Sequence, residues 1–183
     1  MARLSIKGYG QVELNNVAFR RDGRIEAQCA LDTAAFGSND VCENGMILRV
    51  DKAGKKITYC DASAANQLYA LNYSSEHMYD ERKPGLKNFK LVSAAAGEDF
   101  LPRVGYLAAG DLWTTNCIDL GTYADMSAVA SAVASGAVYA AAGTQGAPVL
   151  AAAAPSVGPV MQVIKVTTMP DGQDAVQLQV LKV

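Results

Sequence analysis

The clearest alternation of apolar and polar positions runs through the end of the chain. Val160-Met161-Gln162-Val163-Ile164-Lys165-Val166-Thr167-Thr168 reads as a strand, and Pro170-Asp171-Gly172-Gln173 has the composition of a tight turn. Ala175 to Leu181 then alternates at period two, with Val176, Leu178 and Val180 on one face. Shorter signals of the same kind precede it. Pro102 to Ile118 holds a short apolar run, a Gly110-Asp111 turn and a second run rich in aromatic and β-branched residues, which predicts a hairpin. Gly136 to Ala141 and Pro148 to Ala151 read as strands. Residues 124–135 are ambiguous, because alanine favours helix whereas Val129, Val133 and the serines do not; irregular chain with a short helix is the expectation.

The first half is β-patterned too, but more charged. Ser5-Ile6-Lys7 and Gln11-Val12-Glu13-Leu14 alternate, Asn15-Asn16 is a turn, and Val17-Ala18-Phe19 opens another strand. Asp22-Gly23 then predicts a hairpin into Ile25 to Leu31. Met46 to Val50 and Ile57 to Cys60 flank the charged turn at 51–56. Asp61 to Leu71 suits one short helix with Asp61 or Ser63 as N-cap. The loop at 93–99 is the natural boundary. The expected fold is mainly β: a small barrel or sandwich over residues 100–183, preceded by an extended, hairpin-rich segment over 1–99 with one short helix.

Charge changes this picture more by its placement than by its sum. The chain of 183 residues carries 16 Lys and Arg against 18 Asp and Glu, a net charge of −2. Only Arg103, Lys165 and Lys182 among the cations, and Asp111, Asp119, Asp125, Asp171 and Asp174 among the acids, lie beyond residue 100. A soluble domain normally keeps a well-charged surface. A module this poor in charge is expected to associate or to be covered. The near-neutral sum argues against a nucleic-acid binder, which needs a basic face to neutralise phosphates. Arg20, Arg21 and Arg24 around Asp22-Gly23 are expected at a solvated hairpin tip or in a protein contact. No membrane segment is expected: the alanine-rich stretch at 124–154 is broken by Gly136, Gly143, Gly146 and Pro148 and lacks hydrophobic bulk. Met1 to Lys7 has no apolar core of a secretory leader.

Candidate chemistry is sparse. Cys29, Cys42, Cys60 and Cys117 form no CxxC, so zinc is not expected and free thiols are the default; Cys42–Cys60 is the disulfide to consider. Glu76, His77 and Asp80 cluster, but one imidazole with two carboxylates is a thin metal or acid–base set. Tyrosine is enriched where one end of the ring is buried and the other stays wet. Tyr69, Tyr73, Tyr79 and Arg82, with Trp113 in the later module, are therefore the expected contact residues of an interface. No catalytic residue, cofactor or metal is assigned.

Glu43-Asn44-Gly45-Met46, the run from Tyr79 to Leu86, Pro102-Arg103-Val104, Gly110 to Asn116 and Thr167 to Gly172 together resemble the auxiliary capsid proteins of tailed bacteriophages. These decoration or cement proteins sit on the outside of the head. The resemblance implies a virion component on the capsid exterior, made in the host cytoplasm, with a β-rich head-binding fold and no catalysis. Its implied partners are the major capsid protein and copies of itself, a trimer foremost. Other readings stay open: a tail or head-completion component, a small ligand-binding barrel, and a thiol hydrolase pairing a cysteine with His77.

Overall fold

The computed structural model describes residues 3–61, 67–74 and 101–183. Among these, the elements in chain order are β1 (Val12–Asn16), α1 (Ala18–Asp22), β2 (Ile25–Glu26), β3 (Ala30–Leu31), β4 (Ile47–Asp51), β5 (Lys56–Tyr59), β6 (Tyr69–Asn72), β7 (Val104–Tyr106), β8 (Leu112–Thr115), α2 (Met126–Ser135), β9 (Tyr139–Ala141), β10 (Val149–Ala151), β11 (Val160–Thr168) and β12 (Asp174–Lys182). The fold is mainly β, as the alternation predicts. It is sandwich-like and not a closed barrel.

Two six-stranded sheets form the layers. Sheet I runs β1-β8-β12-β11-β9-β10, and sheet II runs β2-β7-β6-β4-β5-β3. All pairings are antiparallel except β3 with β5. One core lies between the sheets. Trp113, Val176, Leu178 and Met161 of sheet I meet Ile47, Leu71 and Tyr69 of sheet II there, and α2 adds Met126 and Val129. A second core lies on the far face of sheet II, where Phe36, Cys29 and Cys42 from the 27–44 stretch cover Leu48, Val50 and Ile57. The period-two pattern of β4 explains this: Ile47 enters the first core, Leu48 and Val50 the second.

The sheets do not follow the expected division into 1–99 and 100–183. β1 pairs with β8 from Val12 opposite Thr115, and β7 inserts between β2 and β6. The expected Gly110-Asp111 hairpin is likewise replaced by a sheet-switching corner, since β7 and β8 belong to different sheets. The Asp111 carboxylate fixes that corner, accepting the backbone N–H of Ala108 at 2.8 Å and of Ala18 at 2.6 Å. Such bonds to a charged acceptor are strong, and Asp111 itself is buried.

Other local expectations change for physical reasons. Residues 18–22 form α1 rather than a strand, so Asp22-Gly23 closes a helix, with Gly23 in the left-handed conformation at φ 69°. The expected helix over 61–71 is a strand from Tyr69 on, each residue of which is buried in sheet II; residues 62–66 lie outside the described residues. The ambiguous stretch settles as α2, with the Asp125 side chain accepting Ala128 N–H at 2.8 Å as N-cap. Ser131 and Ser135 satisfy their hydroxyls on the carbonyls four residues earlier, so the serines do not stop the helix. Among the described residues, no helix is long and apolar enough to cross a membrane.

Candidate interaction surface

The three longest central strands of sheet I set the geometry of its outer face. Val176, Leu178 and Val180 of β12 point into the core, so the intervening Gln177, Gln179 and Leu181 point away from it. In one cross-strand row Tyr139, Gln162, Gln179, Leu112 and Asn16 lie side by side. In the next, Lys165, Gln177, Thr114 and Glu13 do so, with the two charges at opposite ends. The middle of the face is uncharged. A β-bulge between Val163 and Lys165 leaves Ile164 outside and 42% exposed, and Leu181 is 43% exposed. Asn15 ties the polar part together: its side-chain oxygen accepts from Thr114 Oγ1 at 2.8 Å and from Gln177 Nε2 at 3.2 Å. These held amides and two exposed aliphatic groups can be covered without desolvating a charge, which is what a docking face requires.

Of the residues expected at an interface, Tyr69, Tyr73 and Trp113 lie in the core between the sheets. Trp113 is fully buried, with Leu14 and Leu178 directly opposite it on the two neighbouring strands. Tyr69 and Tyr73 are also buried, and the Tyr73 ring packs on Phe19 with centroids 5.2 Å apart. Their large apolar area is spent on the core between the sheets, and aromatic composition alone does not separate that use from a contact surface. Tyr79 and Arg82, like Glu76, His77 and Asp80, lie outside the described residues. Composition also passed over Gln162, Gln177, Gln179, Ile164 and Leu181. The signal that finds them is the same alternation that predicts the last strands, read for its polar face.

The four cysteines are free and buried. Cys42 belongs to the second core and Cys60 to the first, so sheet II separates the pair considered for a disulfide. Burial pushes the Cys60 thiol up to about 12 and drives that of Cys42 well above the usual range. Burial also raises Cys117 to about 11, although Arg3, whose guanidinium lies 3.4 Å from its sulfur and pairs with Glu43, pulls the other way. Burial, with Glu26 beside it, raises Cys29. These surroundings hold the thiols protonated, the opposite of an activated nucleophile. Among the described residues, no group of three or more His, Cys, Asp or Glu could hold a metal ion.

No family model, curated protein or solved structure matches the chain.

Proposed function

We propose that this chain is a non-enzymatic virion structural protein that binds the outside of a tailed-phage capsid and stabilises it by bridging neighbouring major capsid protein subunits. The observation that carries the reading is the outer face of sheet I. Gln162, Gln177 and Gln179 form an uncharged centre flanked by exposed Ile164 and Leu181. A stable contact buries about 800 Å² per partner, and repetition over a shell adds avidity to contacts that are individually weak. A protein that binds only the assembled lattice raises its stability by linkage. Self-association into a trimer would place the same face, or its border, around a local symmetry axis.

Co-sedimentation of the purified chain with assembled heads, and separately with unassembled capsid protein, tests the reading. Binding to heads alone is expected, and Gln179→Lys with Leu181→Lys should weaken it, since a covered face would then bury unpaired charge. Absence of binding to assembled heads overturns the proposal. Light scattering at two concentrations reports whether the free chain is a trimer.

A further inference from the structure

The outer face of sheet I carries its charge in a pattern that fits a second copy of the same face. In the row Lys165, Gln177, Thr114 and Glu13, the cation stands on β11 and the acid on β1, with β12 and β8 between them. Both end residues are exposed. Neither makes an ion pair among the described residues. Three strand spacings of ~4.8 Å hold them about 14 Å apart in one chain, too far for their side chains to meet.

A two-fold axis running along the strands, midway between β12 and β8, brings opposite ends of the row together. It lays the partner's β1 over β11 and the partner's β8 over β12. Lys165 then faces the partner's Glu13 at one end, and Glu13 faces the partner's Lys165 at the other. Between them Gln177 faces the partner's Thr114, an amide against a hydroxyl. In the neighbouring row Gln162 meets the partner's Asn16, amide to amide, and Gln179 covers the partner's Leu112. No like charges oppose one another. A two-fold axis across the strands would instead set β11 over β11 and leave both charges without an opposite, so the charge pattern selects the first axis. Sheets packed face to face are rotated by about 30°, which moves the row ends, about 7 Å from the axis, by only about 4 Å. Lysine and glutamate side chains are long enough to span that shift.

We infer that two copies of this chain pair through the outer face of sheet I about this axis, each Lys165 meeting the partner's Glu13. The four strands involved are only about 20 Å across, short of the ~800 Å² per partner of a stable complex, so the pairing depends on concentration. The inference describes the free chain, needs no shell and does not rest on the capsid reading. Its failure would leave binding to heads untouched.

Sedimentation of the full chain from about 1 μM to about 1 mM tests it, and a monomer–dimer equilibrium is expected. Lys165→Glu sets two like-charge pairs in the contact and should weaken the dimer at least about tenfold, as should Glu13→Lys. The double variant Lys165→Glu, Glu13→Lys restores opposite charges and should return the affinity to within about threefold of the parent. Both side chains are exposed, so an unchanged circular dichroism melt separates loss of pairing from loss of fold. A zero-length carbodiimide reagent should join Lys165 to Glu13 between copies, read by mass spectrometry on mixed isotope-labelled and unlabelled chains. A monomer at every concentration, a trimer, a double variant no better than either single one, or absence of that cross-link between copies would overturn the inference.

Discussion

Gly105 sits in β7 beneath the ring of Phe19, and its replacement by alanine should be costly for a reason that can be isolated. A Cβ at Gly105 would lie less than 3 Å from three ring carbons of Phe19, a separation that real Cβ atoms essentially never show. Phe19 cannot step aside, being fully buried and packed against the tilted ring of Tyr73. Gly105 is itself held between Ile25 and Leu71 on the flanking strands. Forcing extra volume into such a site costs about 1–3 kcal/mol, and a rigid ring against a central strand belongs at the upper end. For a chain of this size each kcal/mol lowers Tm by about 2–4 °C, so a fall of about 6–12 °C is expected. Without the clash the sign should reverse, because glycine in a strand interior is about 0.5–1 kcal/mol worse than alanine. Urea denaturation of Gly105→Ala in the native chain and in the Phe19→Leu background therefore gives a double-mutant cycle. The expected coupling is about 3.5–4 kcal/mol, the cost of about 3 kcal/mol in the native chain plus the gain of about 0.5–1 kcal/mol without the clash, with m-values unchanged. Equal cost in both backgrounds, or a Gly105→Ala protein as stable as the parent, would refute the packing account.

Three further outcomes follow from contacts already described. Asp111→Ala removes two part-buried bonds to a charged acceptor at the sheet-switching corner; a loss of about 3 kcal/mol is expected in urea denaturation, with a smaller loss for Asp111→Asn. Asp125→Ala strips the N-cap of α2 and should cost about 1 kcal/mol, read by thermal melting. The buried thiols should make the protein labile to alkali. Their folded pKa values, about 12 for Cys60 and about 11 for Cys117, lie above the unfolded value of about 8.5. The unfolded chain therefore binds fewer protons above pH ~9, and stability present below that pH falls as pH rises, by up to about 1.4 kcal/mol per unit for each thiol. Cys60→Ala should flatten the decline between pH ~9 and ~11 by about one proton's worth; an unchanged slope would show that Cys60 does not contribute.

The last two strands were legible because every level of the chain agrees there: alternation in Val176, Leu178 and Val180, and a turn whose Gly172 adopts φ 82°. The corner at Gly110-Asp111 was not. Its local residues are those of a hairpin, and only a partner almost a hundred positions away, the N–H of Ala18, turns it into a crossing between sheets. Tyr69 shows the same limit from the other side. Its neighbours allow a helix, and burial among β4 and β7 makes it a strand. The polar face of sheet I was present in the sequence as Gln162, Gln177 and Gln179. Its meaning required the register that lays Gln162 beside Tyr139, Gln179 beside Leu112 and Gln177 beside Thr114.

The strand order of sheet I also imposes a schedule on biosynthesis. β12, the last strand in chain order, occupies the middle of the sheet between β8 and β11, not its edge. Until it emerges, β1 with β8 and β11 with β9 and β10 are two unjoined pieces, and Trp113 lacks Leu178 as its cover. The sandwich therefore closes only after translation has passed residue 182, and a nascent chain stalled earlier displays two open strand edges to whatever else is being made nearby.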